Sequence, residues 1–392
     1  MKWLTLVPAG LCAALLAGAG SAPARPGNGC PVPCSGQNAS PADAKLLFVQ
    51  PTGERGALLA YDTRTGKQRF ALPAGISTTD GRWHVSAETT RGRTVLTRWY
   101  VSTGGTRRGV EVPGRWRLAG ISPDGRLVAL SRRDGTRTTI RMVDMRRLRP
   151  RQTVSLRGNF EVETISADGE RLFLIQHLRE LGSPRYLVRL YDLSRDRLRA
   201  QPLRAKGEDR LMTGYAWSGI GSPDGRWLLT LYLNTEHNHA FVHALDLERS
   251  IPACIDLPSS GGLETLRRYV LTLSPDGRRL YAANAALGVV AEIDLRTRRV
   301  ARTATFPRAG QEGRAGRATL AGTISRDGRR LFFSDGRDLW RYDAARGLVR
   351  GPLRTGGALL GFGFGRGDSR VYALRKDGRM LAFAAATGSR LR

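Results

Sequence analysis

Cysteine and lysine are the scarcest informative residues in this chain: four cysteines and five lysines among 392 residues. Each scarcity removes a class of protein. There is no Cys-x-x-Cys-His to attach haem and no paired Cys-x-x-Cys to hold zinc. Past the amino-terminal segment, no stretch approaches the ~18 uninterrupted apolar residues of a membrane helix, so the mature chain is expected to have no transmembrane segment. Neither a Gly-x-Ser-x-Gly elbow nor a phosphate-binding glycine loop occurs. Helical periodicity is missing over every long window, which points to an all-β chain.

What is present is a repeat. STTDGRW from Ser77, SPDGRLV from Ser122, SADGERL from Ser166, SPDGRWL from Ser222, SPDGRRL from Ser274 and SRDGRRL from Ser325 are copies of one phrase, with a worn seventh, GRGDSRV, from Gly365. Their aspartates recur every 41 to 56 residues, a spacing that identifies a repeat architecture. Each copy joins two apolar, β-rich runs through Asp-Gly, a hairpin signal in which glycine supplies the positive φ of a primed turn. A third run closes on an acid (Asp144, Asp192, Asp246, Asp294, Asp343) and a fourth follows it. Four short antiparallel strands per unit around an axis make a β-propeller blade.

The phrase SPDGRRLYAAN, from Ser274 to Asn284, resembles the repeat of bacterial YVTN-type and TolB-like, WD40-like propellers. The resemblance spans about residues 46 to 392 and concerns blades, not a site; the Gly-His and Trp-Asp pairs of true WD40 repeats and the sialidase Asp box are absent. It implies an extracytoplasmic propeller. Seven Asp-Gly-like turns predict seven blades. The strands between Lys45 and Pro73 are expected to close the ring by pairing with the last blade, which has little room for a fourth strand of its own. An eight-bladed ring is the alternative.

Residues 1–24 read as a secretory signal: Lys2, a mostly apolar Leu4–Leu16, and a small-x-small site at Ala22-Pro23-Ala24. A secreted or periplasmic location follows. A lipoprotein is the lesser alternative, because Leu11 spoils the site before Cys12 and Cys30 lies far from the apolar stretch. Residues 25–44, rich in Pro, Gly, Ser and Ala, read as a flexible lead-in, and residues 45–392 as the propeller. Cleavage leaves Cys30, Cys34 and Cys254. Either Cys30 pairs with Cys34, or one of them reaches Cys254, leaving one thiol over.

The net charge of +29 is carried by arginines spread through every blade, with no aromatic-plus-basic stacking module, so specific nucleic-acid recognition is not expected. A solvated basic surface is the first reading, and attraction to envelope polyanions such as acidic glycans is the second. The repeated turns all fall on the face that carries the A–B connections, strands being lettered outward from the axis. There each Asp is read as capping its own turn. A ligand is expected on the opposite, B–C/D–A face, through Arg267, Arg268, Arg308, Arg314 and Arg317 together with His237 and His239.

Glu236, His237 and His239 also form the candidate metal site. Alternate strand residues lie ~6–7 Å apart on one face, within reach of one divalent ion; His243 is read as packed between blades. Otherwise no cofactor is expected. The loop carboxylates Asp209, Glu264 and Glu312 could serve acid–base chemistry only if they converged. Arg366-Gly367-Asp368 spells an adhesion string but occupies a turn position. Taken together, these features predict a monomeric, secreted, non-enzymatic binding protein for a protein or glycan partner. A metal-assisted, lactonase-like hydrolase with its site at the channel mouth is the alternative.

Overall fold

The computed structural model describes residues 45–50, 57–179, 184–204, 211–308 and 320–391. These residues form eight antiparallel sheets. Blade 1 has three strands, β1 (Leu46–Val49), β2 (Leu58–Asp62) and β3 (Gln68–Leu72). Blade 2 comprises β4 (Gly75–Ser77), β5 (Trp83–Thr90), β6 (Arg93–Tyr100) and β7 (Thr106–Pro113), and blade 3 comprises β8 (Arg117–Ile121), β9 (Leu127–Asp134), β10 (Arg137–Asp144) and β11 (Arg149–Arg157). Blade 4 holds β12 (Asn159–Ile165), β13 (Arg171–His177), β14 (Arg185–Asp192) and β15 (Arg197–Leu198), with β16 (Met212–Thr213) also pairing onto β14. Blade 5 is β17 (Tyr215–Gly221), β18 (Trp227–Asn234), β19 (His239–Asp246) and β20 (Ile251–Asp256). Blade 6 is β21 (Val270–Leu273), β22 (Arg279–Asn284), β23 (Val289–Asp294) and β24 (Arg299–Thr305). Blade 7 is β25 (Gly322–Ile324), β26 (Arg330–Ser334), β27 (Leu339–Asp343) and β28 (Leu348–Leu353), and blade 8 is β29 (Leu359–Phe364), β30 (Arg370–Arg375), β31 (Met380–Ala384) and β32 (Arg390–Leu391).

The ring therefore has eight blades, which corrects the expectation of seven. Counting Asp-Gly turns misses blade 1 because no Asp-Gly stands between Val49 and Leu58. Nor do the described residues of the stretch between Lys45 and Pro73 pair with the last blade. β1 takes its hydrogen bonds from β2, and blade 8 completes itself with β32, which pairs with β31. Side-chain packing closes the ring instead. Leu47 and Val49 of blade 1 bury against Leu374 of blade 8.

The core is distributed between successive blades. Val85 and Leu96 of blade 2 meet Val128 and Leu130 of blade 3; Ile140 and Met142 of blade 3 meet Val162 and Leu174 of blade 4; Leu229 and Val242 of blade 5 meet Leu280 and Ala291 of blade 6. Strand alternation supplies one apolar face to each neighbour, so both faces of most blades are buried.

The repeated phrase builds a four-residue turn rather than a two-residue primed one. In blade 3, the Gly125 N–H donates to the Ser122 carbonyl at 2.8 Å, and Gly125 alone takes positive φ, 69°. Pro123 sits where a turn favours proline, one residue after its start. The Ser122 hydroxyl donates to Asp124 Oδ1 at 2.6 Å and accepts from the Leu127 N–H at 2.9 Å, while Asp124 accepts from the Arg126 N–H at 3.0 Å. The same bonds recur at Ser222/Asp224, Ser274/Asp276 and Ser325/Asp327. In blade 2 the hydroxyl comes from Thr78, not Ser77. The seventh copy differs: Asp368 is buried, lies at φ 54°, and accepts the backbone N–H of Arg326 in the neighbouring blade at 2.5 Å. The Arg366–Asp368 string is therefore a link between blades 7 and 8.

The seam between blades 8 and 1 has one position with no spare room. A Cβ added to Gly361 would stand 2.5 Å from Cγ2 of Val49 and 3.3 Å from its Cβ. Gly361→Ala is expected to destabilise the ring by about 1–3 kcal/mol through overpacking. Adding Val49→Ala should recover part of that loss; urea denaturation of the two single variants and the double variant checks it.

Candidate functional site

The two faces of the ring differ in what their polar groups are doing. On the A–B face the repeat aspartates are engaged by their own turns, and the acids that end each third strand behave alike. Asp144 accepts the N–H groups of Arg146 and Arg147, and Asp343 those of Ala345 and Arg346. Hydrogen bonds hold several of these carboxyls below their ordinary range, led by the Thr65 N–H at Asp62, the Ser274 hydroxyl at Asp276 and the Thr297 N–H at Asp294. The same turns reach across the axis. A Cβ on Gly221 of blade 5 would meet Thr79 Cγ2 of blade 2 at 2.5 Å, and one on Gly225 would meet Pro123 of blade 3 at 2.7 Å. The crevice among Thr79, Ser122, Pro123, Thr164 and Trp227 encloses about 20 Å³, room for one water and not for a ligand.

The B–C/D–A face carries the less regular connections. Glu236 and His237 lie in the exposed β18–β19 turn, where their backbone N–H groups bond Asn234 Oδ1 at 3.0 and 3.3 Å. His239 stacks on Phe241 with ring centroids 5.9 Å apart and turns its Nε2 to Asp256 at 3.3 Å. Among the described residues no three His, Cys, Asp or Glu side chains are grouped to hold a metal ion. Glu236, His237 and His239 are thus not assembled as such a triad; hydrogen bonds to Asn234 shape the turn, and Asp256 draws His239 aside.

Three of the five arginines expected to bind ligand lie among the described residues. Arg267 ends the one-turn helix α1 (Leu263–Leu266) and pairs with Glu264. Arg268 is half-buried beside it, and Arg308 is exposed beyond β24. Arg314, Arg317, Asp209 and Glu312 lie outside the described residues, as do Cys30, Cys34 and the segments 1–24 and 25–44. Cys254 makes no disulfide among the described residues.

Sequence reasoning passed over the aromatic residues on this face. β17 bulges between Ala216 and Ser218, which leaves Trp217 out of the ladder, the re-aiming effect typical of a bulge. Trp217 Nε1 donates to the Arg267 carbonyl at 2.7 Å, and the Arg267 guanidinium lies 5.9 Å from the indole centroid. Tyr215, at the start of the same strand, is 37% exposed, and Leu211 and Leu178 on the flanking connections are 39% and 49% exposed. An aromatic and apolar surface beside a guanidinium can bind a partner.

A second cluster is sealed between blades 4 and 5. Thr230, His243 and Cys254 form one cross-strand rung of blade 5. This rung divides the interface into two apolar patches, Phe173, Leu190, Leu228 and Leu245 on one side and Ile175, Tyr186, Tyr232 and Phe241 on the other. Facing the rung, β12 bulges between Val162 and Thr164 and places Glu163 against Thr230 at 3.5 Å. Glu161 bonds His177 at 2.9 Å nearby. His243 packs its edge on Tyr232, 5.8 Å between centroids, and neither ring nitrogen has a hydrogen-bond partner. Burial, with the Glu161 charge adding to it, raises the Glu163 carboxyl to about 7. Burial lowers His243 to about 4, and His84, packed on Ser77 and the Pro73 carbonyl, to about 4 as well.

These shifts give stability a pH dependence of opposite signs. A carboxyl raised from 4.5 to about 7 binds a proton in the folded state when the unfolded chain has lost it, so its contribution fades as pH rises through that window. The two histidines, lowered from 6.5, cost stability as pH falls from 6.5 toward 4. Glu163→Gln is expected to stabilise the protein at pH 8, by up to about 3 kcal/mol, and to make no difference below pH ~4.5. Thermal melts of both proteins from pH 4 to 9 measure the gap.

The class that this architecture defines is an eight-bladed β-propeller with a closed turn face and an aromatic, arginine-bearing loop face. No protein-family model matches the chain, and no curated protein matches it by sequence. Solved structures match by fold. The Dos1 propeller is 11% identical, with a TM-score of 0.52, over 89% of this chain and 92% of that one. Dihydro-heme d1 dehydrogenase NirN, in complex with DHE, is 15% identical, with a TM-score of 0.51, over 94% of this chain and 77% of that one. Hydrazine synthase from Kuenenia stuttgartiensis is 14% identical, with a TM-score of 0.46, over 79% and 92%. At such identities the likeness is one of fold.

Proposed function

We propose that this chain is a secreted, extracytoplasmic propeller, of the YVTN/TolB-like kind its repeat resembles, that binds a protein or glycan of the cell envelope through the B–C/D–A face and catalyses no reaction. The observation that carries the reading is the half-exposed Tyr215 and Trp217 beside Arg267 on that face. Aromatic and arginine side chains dominate binding hot spots, and rigid scaffolds present function on their loops. The opposite face has its carboxylates tied to its own turns and no ligand-sized crevice among Thr79, Pro123 and Trp227. The amino-terminal signal read from residues 1–24 supports the location.

Envelope proteins and glycans arrayed on a surface, probed with the purified chain, test the reading. Tyr215→Ala should weaken capture of the true partner about 10-fold or more, the loss typical of a truncated hot spot. Arg278→Ala, on an exposed A–B turn, should leave capture unchanged. Equal capture by wild type and Tyr215→Ala would remove this face from the proposal. Expressed with residues 1–24, the chain should be recovered outside the cytoplasm with its amino terminus near Arg25.

A further inference from the structure

Assigning residues to blades shows that the positive charge is not evenly distributed. Residues 115–157, which make up blade 3 and its entry, hold twelve arginines and three aspartates, with no lysine, histidine or glutamate. Residues 215–256 of blade 5 hold two arginines and five acids. Two of the three blade 3 aspartates, Asp124 and Asp144, are engaged by backbone N–H groups of their own turns. Among the described residues, none of the twelve arginines stands in an ion pair with a carboxylate, whereas arginines of the other blades do so: Arg93 with Glu111, Arg171 with Asp168, Arg226 with Asp246, Arg302 with Glu292, Arg354 with Asp338.

The strand register arranges part of this charge into an array. Arg137 of β10 lies directly opposite Arg157 of β11, a like-charge pairing that disfavours the sheet unless an anion lies between. Asp134 is opposite Arg137 on the other side but forms no ion pair with it. Arg132 and Arg141 share that sheet face, because Arg132 is opposite Thr139 and Arg141 opposite Leu130. Asp134 and Leu130 share the face, and hydroxyls stand beside the guanidiniums; Arg137 donates to Ser155 at 3.0 Å and Arg141 to Thr153 at 3.4 Å. Arg132, Arg137 and Arg157 are exposed and Arg141 half-buried. The array sits at the B–C/D–A end of the blade, beside the β9–β10 turn.

We infer that this arginine array on blade 3 is a docking surface for an acidic polysaccharide. Cross-strand neighbours ~5 Å apart and same-strand neighbours ~7 Å apart match a chain that carries a carboxylate or sulfate on successive sugars, and serine and threonine hydroxyls accompany the guanidiniums. A single-stranded nucleic acid would need an exposed ring on which to stack its bases. The one indole in the array, Trp116, is buried, with the guanidiniums of Arg132 and Arg141 at 4.7 and 4.8 Å from its centroid. The array lies on blade 3 and Tyr215 and Trp217 on blade 5, at the same end of the ring, so the inference adds a second contact surface to the proposed binding face, and variants of the array test it independently of Tyr215.

Binding of the full chain to immobilised polygalacturonate, measured from low to high salt, tests the assignment. Wild type should bind and be released as salt rises. Arg132→Gln/Arg137→Gln/Arg157→Gln should weaken binding at least 10-fold and flatten its salt dependence. A control with the same net charge, Arg296→Gln/Arg298→Gln/Arg299→Gln on blade 6, should stay within about threefold of wild type, since screening confines the effect of a charge to about 10 Å at moderate salt. Matching thermal midpoints of the two triple variants confirm that both are folded. Equal losses in both variants, no binding of polygalacturonate, or tighter binding of duplex DNA or of phosphatidylglycerol vesicles would each overturn the inference.

Discussion

Every blade here is a sheet with two apolar faces, and the only surfaces available to cover them are the faces of the blades on either side. That dependence governs the molecule. No blade has a core of its own, so stability is a sum over interfaces and the ring holds only where the last interface is made. The closing interface is the least redundant. Among the described residues blade 1 has three strands, shares no hydrogen-bonded strand with blade 8, and is held there by Leu47 and Val49 against Leu374, with Gly361 admitting Val49 by having no side chain. At the neighbouring seam, Asp368 crosses to the Arg326 N–H, where aspartates of other copies such as Asp124, Asp224, Asp276 and Asp327 accept from their own turns.

The same dependence makes the interface between blades 4 and 5 unusual. Most blade faces meet through aliphatic and aromatic side chains, but here a rung of Thr230, His243 and Cys254 faces the buried Glu163. A buried carboxyl and a buried imidazole can each remain only as the neutral form over much of the pH range. Both do so, and they titrate in opposite directions. Between blades 6 and 7 a buried acid is handled differently. Glu292 is met by Arg302, Arg279 and the Tyr342 hydroxyl, and Arg302 continues to the Ala344 carbonyl of the next blade. One interface neutralises its acid by protonation, the other by pairing.

Function on such a ring is a question of faces. The turns that define the repeat occupy their own hydrogen-bonding groups, so the most recognisable part of the sequence is the part least available to a partner. What is available lies opposite: Tyr215 and Trp217 on blade 5, and the unpaired arginines of blade 3. The two surfaces differ in chemistry, one aromatic and apolar, the other cationic with hydroxyls, and they sit on different blades of one rigid disc.

The sequence by itself determined the all-β class, the four-stranded repeat, the side of the ring on which the Ser-x-Asp-Gly turns lie, and the packing of His243 between blades. Each is written in local spacing: hydroxyl two before aspartate, glycine one after, apolar residues alternating. Blade number was not legible, because blade 1 lacks the Asp-Gly signal and its membership in the ring rests on packing between residues more than 300 apart in sequence, such as Val49 and Gly361. The candidate sites were not legible either. A bulge changes which way one residue points without changing the residue, so neither Glu163 nor Trp217 announces its position. Whether an arginine is held in an ion pair depends on neighbouring strands and blades, and only the tertiary structure decided that, among the described residues, those of blade 3 are not.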